Sequence, residues 1–89
     1  MSRQHAPIPL LAARGYRCKG LQRVDLFWSG SRAMNFDVYR DGRRIATVSS
    51  SPYHDRLGCD GPGGYRYRVC EAATGARSNE AAVTFRATR

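Results

Sequence analysis

Apolar and polar residues alternate over short stretches of this chain, most clearly around its single tryptophan. Val24, Leu26 and Trp28 alternate there with Asp25 and Phe27, which is the period of a β-strand that has one buried face. One indole is a large part of the apolar area that a small domain can bury. We therefore expect the other strands to pack around Trp28.

Six further segments also have strand-like patterns, and turn signals separate them. The Asp41-Gly42 pair between two of them is the strongest hairpin signal in the chain. No stretch has apolar residues at the three- and four-residue spacing of a helix. The pattern predicts an all-β fold, an immunoglobulin-like two-sheet antiparallel β-sandwich of about seven strands. Besides the tryptophan strand, the predicted strands cover residues 11–16, 36–40, 45–48, 53–57, 65–69 and 81–85.

The length of 89 residues is that of one domain with a thin core. We expect the sandwich over residues 9–86, with a flexible tail at 1–8 and a short C-terminal tail at 87–89. No apolar run approaches the ~20 residues that span a membrane, and the first seven residues lack the apolar centre of a secretory signal. The chain is therefore expected to stay inside the cell or to belong to a longer secreted protein.

The net charge is +8, from 14 arginines and one lysine against seven acidic residues. Such a balance favours anionic partners, among them nucleic acid and acidic polymers. The arginines, however, are spread from Arg3 to Arg89 without a run of five or six. We do not expect specific nucleic-acid binding, but arginine-mediated binding to an anionic polymer (nucleic acid or acidic glycan) remains the alternative function.

The residues that support catalysis or metal binding are few and far apart. The only histidines are His5 and His54, and none of the three cysteines has the close spacing of zinc ligands. Cys59 lies near His54 in the sequence, but nothing there orients the pair for nucleophilic chemistry. The glycine-rich segment 58–64 has no following helix and no lysine, which a phosphate-binding loop requires. We expect no enzyme activity, no metal and no cofactor.

Phe27 points away from Trp28 in the alternation, onto the outer face of its sheet. An exposed aromatic ring beside arginine can stack on a sugar or a base, or dock a partner domain, although a single apolar residue on a surface is also common. The candidate surface-binding residues are Tyr16, Arg17, Phe27, Arg66 and Arg68.

Four segments, in their order and spacing, resemble the fibronectin type III family. They are Leu26-Phe27-Trp28, Phe36-Asp37-Val38-Tyr39-Arg40-Asp41-Gly42, Tyr53-His54-Asp55 with Leu57, and Tyr65-Arg66-Tyr67-Arg68-Val69 with Glu71-Ala72. Three more are similar to the modules appended to secreted bacterial hydrolases: Gly15-Tyr16-Arg17-Cys18-Lys19-Gly20-Leu21, Val69-Cys70-Glu71-Ala72 and Arg77-Ser78-Asn79. The resemblance implies a monomeric, non-catalytic spacer or an interaction domain for protein or carbohydrate. It also implies a larger extracellular or cell-envelope protein around it.

The resemblance also assigns roles to two residues near the sixth strand. Tyr65 falls at the tyrosine corner, where a phenol bonds a nearby backbone group. Arg77 stands where the hydrolase modules often have the cysteine that pairs with the one at the position of Cys70, so that disulfide cannot form here.

Three cysteines leave at least one without a partner in the chain. In such a sandwich the loops that hold Cys18 and Cys59 lie at the same end, which makes a bridge between them a candidate disulfide. The other interpretation is three reduced thiols. Cys70 is the candidate free thiol, because it alternates outward with Arg66 and Arg68, and positive charge lowers a thiol pKa. The favoured interpretation of Cys70 is nevertheless a small residue that fills space under the last hairpin, and a reactive or dimer-forming thiol is the other.

Overall fold

The computed structural model describes residues 9–87, in which seven β-strands and no helix are present. The strands are β1 (Leu10–Cys18), β2 (Leu21–Ser29), β3 (Phe36–Arg40), β4 (Arg43–Val48), β5 (Tyr53–Arg56), β6 (Gly63–Glu71) and β7 (Ala81–Phe85). They form two antiparallel sheets, of order β1-β2-β5 and β4-β3-β6-β7. The predicted β-sandwich is thus confirmed. The tail predicted at residues 1–8 lies outside the described residues, as do residues 88 and 89.

Residues 9–87 contain no helix long and apolar enough to cross a membrane. The longest elements there are the nine-residue strands β1, β2 and β6.

The sequence pattern predicts only residues 11–16 for β1, but the strand pairs with β2 from Leu10 opposite Ser29 to Cys18 opposite Leu21. Backbone pairing with β2, more than the side chains of β1, therefore sets its length.

Two hairpin turns have the backbone that their sequences favour. Asp41 and Gly42 connect β3 to β4 with φ angles of 51° and 83°. Lys19 and Gly20 connect β1 to β2 with φ angles of 54° and 83°. Positive φ at both central residues matches the right-handed twist of the flanking strands, so the predicted Asp-Gly hairpin is confirmed.

Trp28 lies in the core and is only 8% exposed, as its place in the alternation predicts. Its ring packs on Phe36 of the opposite sheet, with 5.5 Å between the ring centroids and a tilt of 59°. Val24 and Leu26 of the same strand are fully buried. The rest of the buried apolar cluster comes from both sheets: Leu11, Val38, Tyr67, Val69, Val83 and Phe85.

Strands β1 and β7 close one side of the sandwich without pairing in a sheet. Gly15 of β1 is packed so tightly against β7 that a Cβ there would lie 2.3 Å from Cγ1 of Val83. The side-chain amide of Asn79 donates to the carbonyl of Leu11 (2.9 Å) and accepts from its N–H (2.8 Å). This exchange satisfies part of the free backbone of β1, an edge strand.

A buried polar network joins the two sheets near the β3–β4 end. Asp55 of β5 accepts hydrogen bonds from Arg40 (2.9 and 2.8 Å) and from the phenol of Tyr67 (2.7 Å). The hydrogen bond to Asp55 raises the pKa of Arg40. Burial, followed by the bond to Asp55, raises the pKa of Tyr67 well above its usual value, so this phenol stays protonated and continues to donate.

Tyr65 has a different partner from the one that the resemblance implies. Its phenol donates to the side-chain carbonyl of Gln22 at 2.7 Å, so the expected bond to a backbone group is replaced by one to a side chain. Gln22 is itself fully buried, and its amide nitrogen donates to the carbonyl of Gly61. Tyr65 thereby connects β6 to β2 of the opposite sheet.

Candidate binding surfaces on the two sheets

The outer face of the β1-β2-β5 sheet carries one exposed and one half-buried aromatic side chain. Because Trp28 points into the core, Phe27 points outward and is 44% exposed. Tyr16 of β1 lies opposite Arg23 of β2 and points to the same side, since the neighbouring Gly15 faces β7. We call this surface the three-strand face, and it comprises Ala12, Arg14, Tyr16, Arg23, Asp25, Phe27, His54 and Arg56.

Asp25 is the one carboxylate among the residues of the three-strand face, and its Oδ1 already has two partners. The phenol of Tyr16 donates to it at 3.2 Å, and Nδ1 of His54 lies 2.7 Å from the same oxygen. Arg14 is the direct partner of Asp25 across the strands, yet it makes no ion pair with it. The acid therefore holds Tyr16 and His54 in place instead of neutralising an arginine.

The three arginines of this face lack carboxylate partners. Among residues 9–87, no Asp or Glu oxygen lies within 4 Å of the guanidinium groups of Arg14, Arg23 or Arg56. Arg23 and Arg56 are directly opposite each other on β2 and β5, and like charges in that position repel. With Asp25 counted, the face has an excess of two positive charges, so it favours an anion.

The five residues predicted as a binding surface do not form one surface. Tyr16 and Phe27 share the three-strand face, whereas Arg66 and Arg68 lie on the outer face of the other sheet, among the residues that line its groove. Arg17 is occupied within the fold. Its guanidinium lies 5.4 Å from the ring centroid of Phe85 and donates to the carbonyls of Asp60, Gly61 and Arg86 at 2.8, 3.1 and 2.7 Å.

An open groove of about 550 Å³ runs over the outer face of the β4-β3-β6-β7 sheet. Strand register brings its central side chains together: Cys70 is opposite Asp37 on one side and Arg77 on the other, and Arg68 is opposite Tyr39. We call it the Cys70 groove. The side chains around this centre belong to Arg66, Glu71 and Glu80.

Cys70 does not have the exposed, activated thiol that its outward position predicts. It is 9% exposed, and burial raises its pKa despite the opposing effects of Arg77 and Arg68. A thiol with a raised pKa is protonated and weakly nucleophilic at neutral pH. The interpretation of Cys70 as a reactive thiol is therefore wrong, whereas its burial agrees with the favoured interpretation, a small residue that fills space under the last hairpin. The alternation shows which face a side chain is on but not how deeply its neighbours cover it.

The structure also has no bridge between Cys18 and Cys59. All three cysteines are free thiols, and the Sγ of Cys59 lies 3.6 Å from the carbonyl of Leu57 in its own loop. The candidate disulfide is therefore replaced by a local contact. His54 bonds Asp25, and within residues 9–87 no three metal-ligating side chains converge.

Sequence reasoning missed Arg14, Arg23 and Arg56, although a signal for them exists. Arg23 alternates with the buried Val24 in the same way as Phe27 does with Trp28, so it shares the side of Phe27. Arg14 and Arg56 join them only through the register of β2 with β1 and β5. Register between distant strands cannot be derived from the pattern of one strand.

The two surfaces present different chemistry to a ligand. The three-strand face is broad and has an excess of positive charge, whereas the Cys70 groove is concave and contains both acids and arginines. Comparisons with models of known protein families, with curated proteins and with solved structures found no match to the chain. A function for this chain therefore has to be inferred from the chemistry of these two surfaces.

Proposed function

We propose that this chain is a non-catalytic module of the fibronectin type III kind, which engages a carbohydrate or protein partner through the three-strand face. The two-sheet sandwich and the segments that resemble this family support the assignment. A further point in its favour is the pairing of Cys70 with Arg77 across the last hairpin, at the place where similar modules have two paired cysteines. In this proposal the module also acts as a spacer in a larger extracellular or cell-envelope protein.

The main support for partner binding is the exposure of Phe27 on the outer face of a β-sheet. An aromatic ring fixed on a strand offers a flat contact area that loses little conformational freedom on binding, which suits stacking on a sugar ring or docking on a protein. Tyr16 adds a second ring on the same face, oriented by its bond to Asp25. The ring of Tyr16 is thus held in place before any partner binds.

The test is co-sedimentation with insoluble polysaccharides (cellulose, chitin and bacterial cell wall), with Phe27→Ser as the variant. We expect the wild type to bind at least one of them and the variant to lose about tenfold in affinity, because stacking contributes about 1–3 kcal/mol. Met34→Ser is the matched control, since Met34 is an exposed apolar residue outside this face (83% exposed). Equal binding by wild type and Phe27→Ser would contradict the proposal.

The second candidate function is binding of an anionic polymer, and the arginines of the three-strand face favour it. Arg14, Arg23 and Arg56 have no carboxylate within 4 Å in the described part of the chain. Two of them repel each other across β2 and β5, and an anion between them would remove that repulsion. This candidate needs the same face but a different ligand.

Salt dependence separates the two candidates. If arginines carry the binding, affinity for dextran sulfate falls steeply with salt, and Arg23→Gln/Arg56→Gln reduces the slope of log K against log salt by about two. The matched control Arg32→Gln/Arg43→Gln removes the same charge from other exposed positions. A slope that changes equally in both double variants would indicate net charge alone and would count against a site on this face.

A further inference from the structure

We propose that the Cys70 groove is a binding site for a small oxyanion of sugar size, a sugar carboxylate or a sugar phosphate. The site lies on the opposite sheet from the three-strand face and does not depend on the function proposed for that face. Its volume of about 550 Å³ is within the range of small-molecule sites, which is roughly 300–1,000 Å³.

The arginines of the groove are free to bind an anion. Arg66, Arg68 and Arg77 line it, and within residues 9–87 no carboxylate oxygen lies within 4 Å of their guanidinium nitrogens. The Nε–H of Arg68 is shielded from solvent and has no acceptor in that part of the chain. A buried donor without an acceptor costs free energy, but an atom that water does not reach is not reached by an oxyanion either. The contact to an anion therefore falls to the terminal Nη groups of Arg68.

The acids of the groove are partly occupied by other groups. Both carboxylate oxygens of Glu71 accept hydroxyl hydrogen bonds, one from Ser31 and one from Thr74, and these bonds lower the pKa of Glu71. Asp37 accepts a bond from the hydroxyl of Thr47 at 2.6 Å. Asp37, Glu71 and Glu80 together balance the charge of the three arginines. The preference for an anion therefore comes from geometry and not from net charge, because Glu71 and Asp37 are directed toward hydroxyl groups of their own whereas the arginines have no carboxylate partner.

The remaining lining favours a ring-shaped ligand over a bare ion. Tyr39 lies directly opposite Arg68 on the neighbouring strand, and both side chains line the groove. Arginine pairs carboxylate and phosphate groups through two parallel hydrogen bonds, while the ring of Tyr39 can cover the apolar face of a sugar. Cys70, protonated and almost buried, supplies a compact wall between them.

The test uses the Cys18→Ser/Cys59→Ser chain, in which Cys70 is the only thiol. Two measurements are made with D-glucuronate, D-glucose 6-phosphate, inorganic phosphate and D-glucose: the alkylation rate of Cys70 and the amide chemical shifts of residues 66–70 and 77–80. We expect at least one sugar anion, at concentrations of about 1–20 mM, to slow alkylation and shift these amides in a saturable manner. D-Glucose should change neither the alkylation rate nor the amide shifts. Tighter binding of D-glucuronate would indicate a carboxylate site, and tighter binding of D-glucose 6-phosphate would indicate a phosphate site.

Arg68→Gln weakens that binding by about tenfold or more, since it removes a charge-assisted contact, whereas Arg32→Gln, at an exposed position outside the groove, has no effect. Arg77→Gln serves as the second site variant if Arg68→Gln does not fold, as judged by the fluorescence of Trp28. Three results would overturn the proposal: no saturable effect of either sugar anion, equal effects of D-glucose, or equal affinity in wild type and site variants. If inorganic phosphate binds as tightly as the sugar anions, the claim that the groove also recognises the sugar ring would be overturned.

Discussion

Arg77→Cys is expected to create a disulfide with Cys70 across the last hairpin. The two residues are direct partners in an antiparallel bridge, with backbone hydrogen bonds of 2.8 and 2.7 Å between the neighbouring pairs on either side. Residues in such a non-hydrogen-bonded pair have Cα atoms about 4.5 Å apart, inside the range that disulfides span. The Cys18→Ser/Cys59→Ser background removes the competing thiols.

The expected stabilisation follows from the size of the ring. Residues 70–77 enclose about eight residues, for which the chain-entropy relation gives about 2.5 kcal/mol, with any native strain subtracted. For a chain this small the dependence on urea is about 1 kcal/mol per molar. The oxidised variant should therefore unfold at up to about 2.5 M more urea than the same variant with the disulfide reduced.

The assay is urea unfolding followed by the fluorescence of Trp28, with and without a reductant. Ala76→Cys in the same background is the control, because neighbouring residues of a strand point to opposite faces and its thiol is directed away from Cys70. Failure of Arg77→Cys to oxidise, or equal midpoints with and without reductant, would refute the register at Cys70. The same result would weaken the resemblance to modules that have this disulfide.

Two further substitutions test the packing of the sandwich. In Gly15→Ala the new Cβ would lie 2.3 Å from Cγ1 of Val83, so we expect the free energy of unfolding to fall by about 1–3 kcal/mol. The double variant Gly15→Ala/Val83→Ala should lose less stability than the two single variants added together. Losses that simply add would contradict the contact. Tyr67→Phe removes the phenol that donates to Asp55 and should cost about 1–3 kcal/mol. Because the pKa of Tyr67 is raised in the folded state, its stabilising effect is complete below the unfolded pKa of about 10 and is lost as the pH rises above it. The free energy of unfolding should therefore fall less above about pH 10 in Tyr67→Phe than in the wild type. An equal fall in both proteins would show that Tyr67 is not the source of this pH dependence.

The presence and order of the strands were predictable because each has a local pattern, although β1 and β6 extend beyond the predicted residues 11–16 and 65–69. The period-two pattern predicts the observed limits of β3 and β7, and the Asp41-Gly42 pair predicts the turn between β3 and β4. The burial of Trp28 and the exposure of Phe27 follow from the same pattern. Fold class is thus accessible from local sequence in this chain.

The surfaces were not predictable to the same degree because they depend on pairing between distant strands. Arg17 looked like a surface residue, but its guanidinium binds carbonyls of two segments more than 40 positions away. The Arg40–Asp55 pair joins opposite sheets, so neither residue signals it alone. Cys70 is on the face that the alternation predicts, but its burial depends on the strands beside it.

The most direct test of the three-strand face is an amide chemical-shift map recorded while a soluble sugar polymer is added. The polymers are cello-oligosaccharides for the aromatic mode and short dextran sulfate for the arginine mode. We expect perturbations concentrated at residues 12–16, 23–27 and 54–56. They should be lost in Phe27→Ser for the first polymer and in Arg23→Gln/Arg56→Gln for the second. Perturbations confined to β4, β3, β6 and β7, or none with either polymer, would contradict it.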